Sequence, residues 1–400
     1  MTTSDNPSFF TSAAPARATA VPIATVRDPR LDFYRGLAMF IILVAHTPGN
    51  FLTLWIPARF GFSDATEIFV FASGMASAVA FGRAFETRGW WIGSARVVFR
   101  VWQVYWAHIA TFMVIATLMA TIDSTGLFTK NYTNSLNLVP FFRDTGQNLI
   151  GLLTLTYVPN YFDILPMYLG ILAMMPVFVG LAHTSRLLAA GFVVAVWLGA
   201  NLDILWFPAE PWSSREWFFN PFGWQLVFFT GFAFMRGWLP PPPVNRVLIV
   251  LAIVVVLASV PFAYFRILRE VELLRDARDA IRFLTEKTDF GLLRYIHFLA
   301  LAYLGWAVAG KGGKRLIATG SSFFAKLWRV VLAAIIKVGQ QSLAVFVFSM
   351  VAARLIGFSL DVIGRSTAVT TLANLIGFGM LIAVAYTVAW FKSHPWRKRS

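Results

Sequence analysis

Apolar residues run through this chain in blocks of about 18 to 25, separated by short polar or charged stretches. The blocks fall near 31–54, 64–84, 97–121, 162–183, 187–207, 221–239, 245–267, 293–310, 330–356 and 367–391. A helix rising about 1.5 Å per residue crosses a hydrocarbon core with such a length. The pattern predicts an all-α polytopic membrane protein, a bundle of about ten transmembrane helices. The run Leu149–Tyr157 is too short to cross and is expected to lie on the membrane or dip into it. Around the transmembrane domain of 31–392 lie a polar, proline-broken tail over 1–30 and a basic tail over 393–400. The first tail has no apolar centre like that of a cleavable signal, and it is expected to be flexible.

Composition agrees with lipid as the solvent. Hydrophobic residues make up 58% of 400 positions and charged ones 13%, about half the charged share of a soluble domain. There is no cysteine, which excludes disulfides, thiolate metal sites and a cysteine nucleophile. The net charge of +15 is mostly topology. With the N-terminus in the cytoplasm, the inner segments gather Arg17, Arg27, Arg30, Arg83, Arg88, Arg96, Arg100, Lys311, Lys314, Arg315, Lys326 and Arg329, and the acids fall mainly outside. This is the positive-inside asymmetry of a multi-pass protein with both termini cytoplasmic, and it calls for no nucleic-acid partner.

Two outer segments carry more than linkage. Residues 122–161 mix amides with aromatics, among them Asn137, Tyr157, Asn160 and Tyr161. Such a mixture suits sugar hydroxyls and pyranose faces, and equally an interfacial aromatic belt. Residues 269–289 read as an exposed amphipathic helix with opposite charges at i+3 and i+4: Glu272 with Arg275, Arg275 with Asp279, Asp279 with Arg282. It serves as a structural cap or as a partner contact. GWAVAGK at 305–311 begins like a phosphate loop, but Gly312 stands where Ser or Thr is needed, and no strand precedes it.

Ionisable groups inside the apolar blocks are the candidates for chemistry, because burying them is costly. Arg35 and His46 lie eleven residues apart in the first block, roughly 16 Å along a helix axis. Thr47 and Asn50 follow His46, and Glu67 opens the second block close enough in depth to orient the imidazole. A carboxylate on one ring nitrogen leaves the other as a general base; a hydrogen-bonded helix-locking histidine is the alternative. His108 is a second catalytic candidate, or packing, and His297 an outer contact, or interfacial. His183 and His394 stand at membrane edges and carry no signal. Arg35, Arg96 and Arg100 form an inner cluster suited to phosphate, and topology alone also accounts for them. Asp163, Asn220, Gln225, Gln340, Gln341 and Ser342 line a cavity or cross-link helices.

Arg35-x10-His46 resembles the signature of the membrane acyltransferase-3 superfamily, as do EIFVFASG at 67–74 and VGQQSLAVFVFS at 338–349. More closely, DPRLDFYRGLAMFIILVAH, NYFDILPMYLGILAMMPV, FNPFGWQLVFFTGFAFMRG and VGQQSLAVFVFSM look like the OpgC branch, over about 28–391. The resemblance implies ten helices in a bacterial inner membrane, a cytoplasmic succinyl-CoA donor and a periplasmic glucan acceptor. His46 matches the essential histidine and Arg35 the donor-side arginine. Glu67 and Asp163 are candidate acidic partners of His46, with Arg35, Arg96 and Arg100 on the donor and Tyr157, Asn160, Tyr161 and Trp224 on the acceptor. No metal or resident cofactor is implied, since no His/Asp/Glu cluster has ligand spacing. Other donors such as acetyl-CoA, a sugar or lipid-linked-sugar transporter, and a non-catalytic membrane subunit remain open, and oligomeric state is not readable.

Overall fold

The computed structural model describes residues 28–396. The expected tail over 1–30 lies outside them up to residue 27, as does the basic tail from 397. Helix α1 spans Pro29–His46; the Asp28 side chain accepts from the Arg30 N–H, and Pro29 occupies a first-turn position where a missing N–H costs nothing. The apolar block continues to Leu54, but the helix does not. Pro48 cannot donate to the preceding turn, and Gly49 takes a φ of 66°. The chain instead forms two 3-10 turns, Phe51–Trp55 and Pro57–Arg59. His46 is therefore the last residue of α1 and not a mid-helix residue.

Helix α2 (Ala65–Ser77) passes through a π turn at Ala78–Gly82 into α3 (Arg83–Ser124). This long segment breaks at Gly89, whose φ of 80° few L residues adopt. After it come α4 (Ile164–Thr184), α5 (Arg186–Asn201), α6 (Pro221–Met235), α7 (Arg246–Ala263) and α8 (Leu292–Ala309). The C-terminal part holds α9 (Phe323–Gln340), α10 (Ser342–Ile363) and α11 (Thr367–Lys392). Among the described residues, six segments are long and apolar enough to cross a membrane, Ala65–Ser124 being one, while α5 and α6 are apolar but shorter. The fold is all-α, with one isolated bridge, Pro208 to Glu216, and no strand among the described residues.

The block expected over 330–356 is divided. Gln341 leaves helical geometry between α9 and α10. Helix α9 carries Lys326, Arg329 and Lys337 and is amphipathic, whereas α10 is the apolar member. The segment at 269–289 also differs from one continuous helix: it breaks into Phe265–Glu270, Glu272–Ala280 and Arg282–Thr285. Of its three expected pairs, only Glu272 with Arg275 forms among the described residues. The run near 149–157 lies within and after a ten-residue helix, Thr145–Thr154.

Close approach of helices depends on glycine. Helix α2 packs extensively on α6, and a Cβ on Gly74 would fall on the Phe228 carbonyl, one on Gly231 on the Phe71 carbonyl. Helix α1 meets α9 in the same way, with Gly36 against the Ile335 carbonyl and Gly339 against the Asp32 carbonyl. Small residues of this kind let backbones touch where lipid supplies no hydrophobic drive. Helix α2 thereby stands between two apolar cores: Phe69 belongs to one with α1 and α10, and Val70 to the other with α4 and α6. Gly74→Ala should cost about 1–3 kcal/mol by overpacking, read as a lower melting temperature in detergent. Gly191→Ala, on an open face of α5, should leave it within error; equal behaviour of the two variants refutes the packing argument.

Candidate functional site

The first cavity, about 580 Å³, lies at the C-terminal end of α1. Its wall includes Ile42, His46, Asp64, Phe69, Asn160, Tyr161, Asp163, Phe346 and Lys287. Because α1 stops at His46, the imidazole can turn back on its own helix, and Nδ1 lies 2.8 Å from the Ile42 carbonyl. That oxygen belongs to the last turn of α1, and its second lone pair is open to the ring beside the helical bond. A ring nitrogen facing a carbonyl must be the protonated one, so the lone pair is on Nε2. Nε2 has no hydrogen-bond partner among the described residues. The Tyr161 ring meets the imidazole edge-on, with centroids 5.1 Å apart.

Glu67 does not orient this histidine. It is fully buried, accepts the Asp64 N–H at 2.7 Å, and pairs with Arg294 at 2.6 Å. Together with Asp64, which accepts the Thr66 N–H, it forms a capping box that starts α2. The backbone carbonyl of Ile42 fills the place expected for a carboxylate. Thr47 is likewise spent on the Leu43 carbonyl, and Asn50 on Asn374.

Asp163 lines the cavity, but its carboxylate accepts the Phe218 N–H at 3.2 Å and holds the loop beside it. Asn160 also lines the wall, with its side-chain oxygen accepting from Arg215 at 3.3 Å. Arg215 is anchored in turn by Glu210 at 3.1 Å. Burial alone would push the Glu210 carboxyl up, but Ser213, Arg215 and Asn137 donate to it and hold it below its ordinary value.

Tyr157 and Trp224, expected at an acceptor, are elsewhere. Both are fully buried; the Tyr157 hydroxyl donates to the Asn137 carbonyl and the Trp224 indole to the Lys287 carbonyl. Neither presents a face to the cavity. Trp224 acts through what it holds, because Lys287 does line the wall, 2.5 Å from Asp64. Asn220 fastens the same loop by donating to Asp289 at 2.8 Å. Gln225 donates to the Val193 carbonyl and cross-links α6 to α5. His297 contacts the Ser63 hydroxyl at 2.7 Å, and His108 lies buried outside both cavities described here.

A second cavity, about 330 Å³, brings together Arg35, Arg96 and Arg100 with Ser73, Ser77, Phe81 and Tyr168. Arg35 donates to the Ser342 hydroxyl at the start of α10. An adjoining hollow of about 650 Å³ shares Ala80 and Arg96 with it and adds Arg83 and Arg88. Among the described residues, no acidic side chain lines either one. The His46 and Arg35 cavities are one helical turn apart on two elements: Phe69 and Ser73 on α2, Ile164 and Tyr168 on α4. Phe69 and Phe346 stack at 5.8 Å on the His46 side of that division.

Sequence reading missed Lys287 and Arg354. Lys287 sits at the end of an apparently solvated cap. Arg354, in α10, places its guanidinium 3.7 Å from the Tyr161 ring centre. The signal available for Arg354 was a cation in the apolar second half of the block at 330–356, which also holds Lys337.

A family model described as OpgC protein matches residues 27–393. No curated protein matches the chain, and no solved structure does. The capping role of Glu67 makes a direct prediction. Glu67→Gln leaves Arg294 buried without its charge partner and should cost about 3 kcal/mol of stability. Thermal unfolding that is unchanged from wild type would contradict the assignment.

Proposed function

The chain belongs to the OpgC family, which implies a glucan-modifying acyltransferase, and from that premise we propose that it moves a succinyl group from succinyl-CoA to glucan hydroxyls, with His46 as general base. The observation that carries the reading is the pair of abutting cavities. One is walled by arginines that match the phosphates of a CoA donor, and the other by an imidazole with an unengaged Nε2. Arginine's planar fork suits phosphate oxygens.

In this scheme the donor lies at the Arg35 end, with Arg35, Arg96 and Arg100 on its phosphates. Its thioester reaches past the Phe69–Phe346 stack toward His46. The acceptor enters the His46 cavity beside Asn160 and Tyr161. Nε2 takes the proton of the acceptor hydroxyl as its oxygen attacks the thioester carbonyl. The Ile42 carbonyl keeps the Nδ1 proton in place and stabilises the imidazolium that forms. As the tetrahedral intermediate collapses, the C–S bond breaks, the ester remains on the sugar, and the imidazolium proton passes to the CoA thiolate. No protein nucleophile is required. The Arg35 end faces the cytoplasm and the His46 end the periplasm, as the charge asymmetry of the sequence supports.

Purified protein should release free CoA from succinyl-CoA when an oligoglucan is present. His46→Ala should lower that rate at least about 100-fold while the protein stays folded. Near-normal turnover of the variant removes His46 from the chemistry, and no release with succinyl-CoA or acetyl-CoA by folded wild type favours transport. Arg35→Ala and Arg96→Ala should each raise the donor KM about tenfold, measured in the same assay; unchanged KM values place the donor elsewhere.

A further inference from the structure

The broken cap at 269–289 walls a hollow of its own, about 370 Å³, lined in part by Arg278, Asp279, Arg282, Glu286, Lys287 and Arg294. Lys287 also lines the His46 cavity, so the two spaces meet at one side chain. That junction is firmly held. Lys287 reaches Asp64, on the wall of the His46 cavity, at 2.5 Å, and Arg294, on the wall of the cap hollow, reaches Glu67 at 2.6 Å. Asp64 and Glu67 are the two carboxylates of the capping box, so both spaces border the start of α2. From the other side, the Lys287 carbonyl accepts from Trp224, and Asn220 binds the next two residues through the Thr288 carbonyl and the Asp289 carboxylate.

The chemistry of the wall changes across this junction. On the His46 side stand the rings of Phe218 and Phe219, the latter with its centre 5.4 Å from the Lys287 ammonium. Apolar ring faces of this kind pack against the C–H faces of a sugar. On the cap side the wall is charged, and its charges are matched: Lys287 and Arg294 by the capping box, and Arg282 by Glu286 at 3.6 Å. Such a wall offers many donors and acceptors with little net field, which suits the hydroxyls of a neutral polyol better than an anion. A chain of sugars calls for both kinds of wall, because one unit enters the catalytic cavity while its neighbours stay outside it.

We propose that the cap hollow is a second subsite for the acceptor: a glucan whose reacting unit lies beside His46 continues over the Lys287–Asp64 bridge, and its neighbouring units bind Arg278, Asp279, Arg282 and Glu286. This subsite rests on the acyltransferase reading above and adds to it a preference for long acceptors over short ones.

The test compares a glucose disaccharide with a glucose hexasaccharide of the same linkage, at saturating succinyl-CoA, as the ratio of their kcat/KM values. That ratio is internal to each preparation, so loss of folded protein cancels. Wild type should prefer the hexasaccharide, and the double variant Arg278→Ala/Arg282→Ala should lower the ratio about tenfold through lost hydrogen bonds to charged groups. Arg275→Ala, which removes the cap arginine paired with Glu272, should leave it unchanged. A double-variant ratio within about twofold of wild type, an equal fall in Arg275→Ala, or a wild type indifferent to acceptor length overturns the subsite and leaves the transferase reading intact. Wild type that releases no CoA with either acceptor overturns that reading. Binding is then decided separately, as it is should the double variant fail to fold, by hydrogen exchange in wild type. The hexasaccharide should slow exchange across 278–287 and the disaccharide should not; equal effects of the two, or none, reject the subsite.

Discussion

The arrangement depends on where α1 ends. Pro48 and Gly49 stop the helix inside an apolar block that would otherwise run on for another two turns. A helix that stops within a bundle exposes carbonyls with no backbone partner, and each must be satisfied. Asn50 satisfies the Val44 carbonyl, while the His46 ring and the Thr47 hydroxyl add second contacts to the Ile42 and Leu43 carbonyls, the latter already bonded by the Thr47 N–H. The helix end opens the cavity, and the Ile42 carbonyl fixes the tautomer of the histidine on its wall.

The remaining elements hold that geometry from outside. Helix α2 cannot shift away from α6, because Gly74 and Gly231 have replaced side chains with backbone contact. Its first turn is set by the Asp64–Glu67 capping box, which presents Asp64 to the cavity and turns Glu67 toward Arg294. The cap loop is tied to the start of α6 by Asn220 and Trp224, and this carries Lys287 inward to Asp64. Function here is built on backbone groups and helix termini as much as on the side chains that do the chemistry.

Much of this was legible in the sequence, and the reasons for the rest are specific. Hydropathy located the helices because lipid imposes one length scale, but it read across Pro48 and Gln341, where the composition stays apolar while the backbone turns. Arg35, Arg96 and Arg100 were grouped from charge and position, and they do share a cavity. Glu67 was paired with His46 because depth alone cannot tell a capping carboxylate from a catalytic one; Asp-x-x-Glu at the start of a helix was the available sign of a capping box. Tyr157 and Trp224 are aromatic and polar-tipped, as a sugar platform requires, yet their polar tips bind backbone carbonyls. Lys287 was hidden because its partner Asp64 is more than two hundred residues away in the chain.

Charge distribution gives the two ends different tasks. Among the described residues, five arginines line the adjoining hollows at the Arg35 end. At the His46 end the charges are mostly matched: Lys287 by Asp64, Arg215 by Glu210, and Asp163 by a backbone amide. A strong anion such as a polyphosphate is drawn to the first end, where field lines from several cations converge between low-dielectric walls. A neutral polyol gains nothing there and is better served by the amide and aromatic groups of the second. On the proposed reading, donor and acceptor are thus sorted to opposite ends before either makes a shape-specific contact.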